Sequence, residues 1–294
     1  MKQSAAVETG LFFGGVPMDK DFPMHKVVLQ DGMAVAYMDV PTGDAPVVWI
    51  HGMGSYRETF HPIFRDPPVP VRHIALDLPG FGDSGHLHRR HELSDYARWV
   101  DEFLQALNLS DVVLAGHSFG GMVAGETLNR YPERIRGAIL IGAAGWLDPE
   151  NALSPTPYFY VNRVGIWVTG LGYFGRQMLR ALGVDPDRVS RGDRRRLQRG
   201  WQRAYEMARM GTFYHSADFA RRVLTANRPV AVIHGSQDSL FPIDKVSRIL
   251  ADRAPLWVIE GSGHVPFLSH PHLFWPAFRA AYAHAAGSQR NDTR

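Results

Sequence analysis

The chain has 294 residues, 45% of them hydrophobic and 21% charged, with a formal net charge of +3. That much apolar material excludes an intrinsically disordered chain, and so mild a charge with no aromatic-basic pattern argues against a nucleic-acid partner. Cysteine is absent, which excludes disulfide scaffolds, thiol catalysis and thiolate metal sites.

Residues 1–23 read as an N-terminal extension. Glu8 and three glycines interrupt any apolar run there, so neither a secretion signal nor a membrane span is expected, and a cytoplasmic location is. Strand-like runs Lys26 to Gln30 and Met33 to Val40 then meet at Asp31-Gly32, a strong hairpin signal. The later runs are unbroken and apolar: Val47 to His51, His73 to Asp77, Val112 to Gly116, Ala138 to Gly142, Val230 to His234 and Trp257 to Glu260. Such runs suit strands of a parallel sheet, buried on both faces. Helical periodicity lies between and after them, at Leu93 to Leu107, Ser118 to Tyr131, Pro242 to Leu250 and Leu273 to Ala286. Alternating strands and helices predict an α/β fold.

The interval from Trp146 to Thr225 breaks the alternation. It holds 12 aromatics and 13 of the 28 arginines, for a net charge of +6. One helix in it carries Leu197, Trp201, Ala204, Tyr205 and Ala208 on one side and Arg195, Arg196, Arg199 and Arg203 on the other. The arginines are expected to form a solvated face. The expected organisation is a core of 24–145 and 226–286, a helical cap of 146–225 with an apolar underside, and a tail of 287–294.

Gly116-His117-Ser118-Phe119-Gly120 follows a strand run and precedes a helix, the setting in which G-x-S-x-G makes a sharp turn that exposes the serine. Small residues two positions either side of Ser118 permit that turn, and the helix N-terminus favours an oxyanion. A serine nucleophile needs a base and a residue to orient it. His264, after the run ending at Glu260, and Asp238, after the run ending at His234, both fall at carboxyl ends of predicted strands. His86, His88 and His91 form a cluster without the carboxylates of a metal site, and a solvated loop is expected there.

In these motifs and in the order Ser118, Asp238, His264, residues 24–286 resemble an α/β-hydrolase-fold serine hydrolase of the esterase or lipase kind. His51-Gly52-Met53-Gly54 and Asp77-Leu78-Pro79-Gly80-Phe81-Gly82-Asp83-Ser84 are further family-like stretches. The resemblance implies a mostly parallel eight-stranded sheet with a helical cap inserted after the sixth strand. It also implies an oxyanion hole from the backbone N–H groups of Met53 and Phe119. His51 and the stretch from Asp77 to Ser84 are expected to shape loops. Asp148 stands where some hydrolases of this fold place the acid; Asp238 is preferred for its Gly-x-x-Asp loop next to the strand that leads to His264. Ser118 sets the chain apart from relatives with an aspartate nucleophile, the haloalkane dehalogenases and epoxide hydrolases. His117 and Met53-Gly54-Ser55 differ from the usual C–C hydrolase pattern. The expected activity is hydrolysis of a small ester with a hydrophobic part, with neither metal nor organic cofactor. C–C or amide cleavage by the same triad, or a ligand-binding receptor on this fold, are the alternatives. No feature indicates an oligomeric state.

Overall fold

The computed structural model describes residues 22–146 except 42, 44 and 90, residues 176–209 except 178, 181 and 190, and residues 218–287. Strands β1 (Met24–Val28) and β2 (Ala34–Val40) form the hairpin anticipated at Asp31-Gly32. Gly32 takes a φ of 83°, and the Asp31 carboxylate accepts the Met33 N–H at 3.0 Å to close the turn. The sheet continues with β3 (Val47–Ile50), β4 (His73–Leu76), β5 (Val112–His117), β6 (Ile135–Ile141), β7 (Val230–Gly235) and β8 (Leu256–Ile259). Its eight strands lie in the order β1-β2-β4-β3-β5-β6-β7-β8; β2 pairs antiparallel with β1 and β4, and the other pairs are parallel.

Side chains alternate across the pleat and build two cores. Val48 and Ile50 of β3 join Leu114 and Leu140 beneath α2 (Leu93–Ala106) and α3 (Phe119–Arg130). Val47 and Trp49 face the other layer, with Phe274 and Phe278 of the C-terminal helix. There Trp49 stacks on Phe278 at 4.8 Å between ring centroids and donates its indole N–H to His73 Nδ1 at 3.0 Å. The second layer contains α1 (His61–Arg65), preceded by a 3-10 turn over Arg57–Phe60. The sequence pattern did not reveal either element, since neither is long enough to display a helical period.

Between β6 and β7 come α4 (Arg191–Arg209) and α5 (Phe219–Leu224), which place the helical cap after the sixth strand. Phe219 and Val223 of α5 pack so closely on α3 that a Cβ on Gly125 would lie 2.7 Å from Val223 and 2.9 Å from Phe219. α6 (Ile243–Leu250) follows β7, and α7 (Pro266–Ser269) and α8 (Pro271–Ala285) follow β8. The single C-terminal helix expected from Leu273 is thus preceded by a separate turn, with His270 at the junction. Among the described residues, no helix is long and apolar enough to cross a membrane. Most of the aromatic residues of 146–225 lie outside the described residues, as does Asp148.

Candidate active site

The site gathers at the carboxyl ends of neighbouring strands. β5 lies between β3 and β6, so the turn that follows its last residue, His117, emerges at the middle of the sheet. Ser118 occupies that turn with φ 54° and ψ −118°, a conformation that costs a non-glycine residue on the order of 1–3 kcal/mol. It persists because its neighbours enforce it. The Ser118 N–H donates to Ile141 O at 3.0 Å, and its carbonyl accepts from Gly121 and Ala144 at 2.9 and 3.1 Å. A Cβ on Gly120 would stand 2.2 Å from Ile50 O, so only glycine lets α3 start this close to β3. The Ser118 side chain does not cap α3, although its backbone starts the helix.

Asp238 and His264 follow β7 and β8, whose ends are paired at Gly235 and Ile259. Asp238 Oδ1 accepts the Leu240 and Phe241 N–H groups at 2.9 and 3.1 Å, which fixes the carboxylate plane. Its Oδ2 accepts the His264 Nδ1–H at 2.7 Å. Burial alone would raise this carboxyl, but the His264 hydrogen bond and its neighbours hold it below the ordinary carboxylate value. With its proton on Nδ1, His264 has Nε2 as the basic atom.

Three further histidines at the ends of β3, β5 and β7 are buried, each in a tautomer that its contacts decide. His117 donates Nε2–H to His264 O at 2.9 Å, and its ring lies 4.9 Å from the His264 ring. Its Nδ1 is buried without a partner, and burial, with His264 beside it, pushes its pKa down to about 3. His234 lies against Asp238, with Nε2 3.5 Å from Oδ2, and donates to Phe241 O at 2.7 Å. His51 accepts the Leu78 N–H on Nε2 at 3.0 Å and donates Nδ1–H to Gly52 O at 2.7 Å. Burial lowers the pKa of His234 and of His51. His51 therefore shapes the loop after β3, the role expected of it.

The fold thus joins Asp238 to His264 by a direct hydrogen bond and ties His264 to the residue before Ser118. Ser118 and His264 share no hydrogen bond among those described; in resting hydrolases such bonds are often long and tighten with substrate. Met53 lies three residues past β3, in a turn closed by the Ser55 N–H to Gly52 O at 3.1 Å. Next to it, Gly52 is so near the elbow that a Cβ there would sit 3.1 Å from Ser118 Cβ. Phe119 opens α3 immediately after Ser118. Met53 and Phe119, the residues expected to supply oxyanion donors, thus stand on the loops that follow the neighbouring strands β3 and β5. Among the described residues no group of three or more His, Asp or Glu side chains is placed to hold a metal ion. The solvated loop expected for the histidine cluster holds for His86 and His88, both exposed, with His86 3.4 Å from the Arg203 guanidinium, but is corrected at His91, whose ring is buried against Trp99.

The expectation for the cap helix is also corrected. The arginine face of α4 is not simply solvated. Arg196 pairs with Glu58 at 2.7 Å and Asp83 at 3.2 Å and lies over the Tyr56 ring at 4.7 Å; Arg203 donates to Gly82 O at 3.0 Å. The core supplies the reason. Glu58 and Asp77 are buried, and Arg57, bonded to both, leaves Glu58 with charge still to be balanced. Asp77 also accepts the Arg57 and Asp83 N–H groups, and Ser84 donates to Asp77 O, so that stretch organises a loop as expected.

Residues 45–271 match the alpha/beta hydrolase fold family, and the chain belongs to it. It is a hydrolase, and its substrate is a small molecule. The chain is similar to the pimeloyl-[acyl-carrier protein] methyl ester esterase of Aromatoleum aromaticum, at 28% identity over 76% of this chain and 93% of the esterase. It is also similar to the 2-hydroxy-6-oxo-6-(2'-aminophenyl)hexa-2,4-dienoic acid hydrolase of Metapseudomonas resinovorans, at 24% identity over 85% of this chain and 88% of that enzyme. Among solved structures, a bromoperoxidase from Bacillus anthracis superposes with a TM-score of 0.69 at 24% identity, covering 88% of this chain and 98% of that one.

Proposed function

We propose that the protein hydrolyses a carboxylic ester with a hydrophobic part through an acyl-enzyme on Ser118. The observation that carries this reading is a strained serine at a helix start, one residue after a histidine bonded to the His264 backbone, with the His264 Nδ1 proton held by Asp238. His264 Nε2 takes the Ser118 proton as Oγ attacks the ester carbonyl. The N–H groups of Met53 and Phe119 stabilise the negative charge that develops on the carbonyl oxygen. His264 then returns the proton to the leaving alcohol, and the same nitrogen activates water to release the acid. Asp238 keeps the imidazole in the required tautomer and stabilises its charged form. The apolar surroundings favour a hydrophobic substrate: Met53 packs on the core, the Phe241 ring lies 5.4 Å from His264, and Trp201 covers Gly54.

The test is turnover of p-nitrophenyl esters from acetate to decanoate by the wild type and by Ser118→Ala. Each buried methylene is worth about 0.8 kcal/mol, so two added carbons raise kcat/KM roughly tenfold where both contact the pocket in the transition state. Ser118→Ala loses about 10⁴-fold or more in kcat, and fluorophosphonate labelling of Ser118 disappears. Labelling that persists in that variant refutes the nucleophile; a steady fall from acetate onward refutes the hydrophobic acyl site. Similarity to a hydrolase whose substrate name contains no ester favours C–C cleavage as the second reading. A vinylogous diketone cleaved faster than every ester would establish that reading.

A further inference from the structure

The contact between α4 and the loop after β3 is closer than lid packing alone requires. Backbone meets backbone. A Cβ on Gly200 would fall 2.0 Å from Gly54 O, and a Cβ on Gly54, whose φ is 74°, would fall 2.2 Å from the Trp201 indole. Glycine is needed on both sides. The same face of α4 is anchored at two more points on the residues that continue this loop. Asp193 accepts the Tyr56 O–H at 3.3 Å, and Arg196 pairs with Glu58 and lies over Tyr56. Gly54 directly follows Met53, whose N–H is the proposed oxyanion donor. Whatever moves α4 therefore moves the residue next to that donor.

We propose that Gly200 is a positioning residue for the reaction: α4, seated by the Gly200–Gly54 contact and the Arg196–Glu58 pair, holds the Met53 amide where the oxyanion forms. The proposal rests on the ester-hydrolase reading for its catalytic half. The cap on this view completes the transition-state site as well as covering it, and substrates that displace α4 lose rate rather than binding. Gly200→Ala must draw the helix back from Gly54 O by about 1.4 Å to restore ordinary contact, and displacement of a catalytic group by about 1 Å can cost about 10²-fold.

The experiment compares wild type, Gly200→Ala and Arg196→Gln in two measurements. The first is hydrogen–deuterium exchange of the backbone. Peptides over residues 51–56 should exchange faster in both variants, while peptides over α2 do not change. The second is steady-state kinetics on p-nitrophenyl butyrate with affinity for a trifluoromethyl ketone. Gly200→Ala should lower kcat 10- to 100-fold with KM within about threefold, and ketone affinity should fall in parallel with kcat/KM. Arg196→Gln, which adds no bulk and leaves Glu58 paired with Arg57, should move both readouts the same way by a smaller factor, and it decides the matter if Gly200→Ala does not fold. Unchanged exchange at 51–56 overturns the proposal, and so does a rise in KM with kcat unchanged. A wild type that neither turns over esters nor takes a fluorophosphonate overturns the ester reading and the catalytic half with it, while the exchange data still decide whether α4 holds the loop.

Discussion

Lowering the pH from 7 to 5 should destabilise this protein well before its carboxylates titrate. His117 is buried at the elbow, and its pKa is pushed down to about 3 from an ordinary 6.5. The folded state therefore keeps it neutral while the unfolded chain takes up the proton. The sign follows directly: stability is complete above about pH 6.5 and is lost as the pH falls toward about 3. Between pH 7 and 5 the loss from His117 alone is about 2 kcal/mol, with a slope that approaches about 1.4 kcal/mol per pH unit. His51, His73 and His234 are also buried with lowered pKa values and add losses of the same sign. Burial raises Glu58 and Asp101, which works in the opposite direction, but from the lower starting point of a carboxyl. Urea unfolding followed by circular dichroism at pH 7, 6 and 5 measures the net effect. His117→Gln should flatten the slope by roughly 1.3 kcal/mol per pH unit below pH 6. A stability that stays level from pH 7 to 5, or a His117 imidazole that titrates near 6.5 by NMR, would refute the reasoning.

Three substitutions test the site itself. Asp238→Asn keeps the acceptor for the Leu240 and Phe241 amides but loses the charge that orients His264, so kcat should fall about 10⁴-fold with the fold intact by circular dichroism. Asp148→Asn should be close to wild type, and the reverse outcome would transfer the acid to Asp148. Gly120→Ala puts a Cβ 2.2 Å from Ile50 O and 2.6 Å from His51 O, forcing α3 and β3 about 1.2 Å further apart to reach ordinary contact. The expected cost is about 1–3 kcal/mol of stability from overpacking and roughly 10² in kcat/KM from the displaced elbow. Wild-type urea midpoint and kinetics would show that the close approach is not required.

The local chemistry of this chain was legible from its residue order. Unbroken apolar runs announced β3 to β8, Asp31-Gly32 announced the hairpin, and the glycines around Ser118 announced a turn that only small residues permit. These are short-range signals, because each element's backbone preference and burial pattern lies within its own few residues. The pairing of Asp238 with His264 was legible for a related reason: both follow adjacent parallel strands, and the sheet's topology brings such loops to one edge.

Where each face of α4 points was not legible. A helical wheel separates apolar from charged residues, but it treats an arginine in water and an arginine paired with a buried acid alike. Arg196 was assigned to a solvated face because its partner Glu58 lies in a distant part of the chain, as does Tyr56, which sits 137 residues before Asp193. The Gly54–Gly200 approach was hidden for the same reason, since a glycine's need for closeness depends on what the fold brings against it. The neutral state of His117 likewise follows from burial and from a carbonyl 147 residues away. The residue order determined the elements and put Ser118, Asp238 and His264 just past the ends of three strands. Tertiary structure alone decided which charges meet, which imidazoles stay dry and which helix rests on the loop beside Ser118, because those contacts join segments that carry no record of one another in their local pattern.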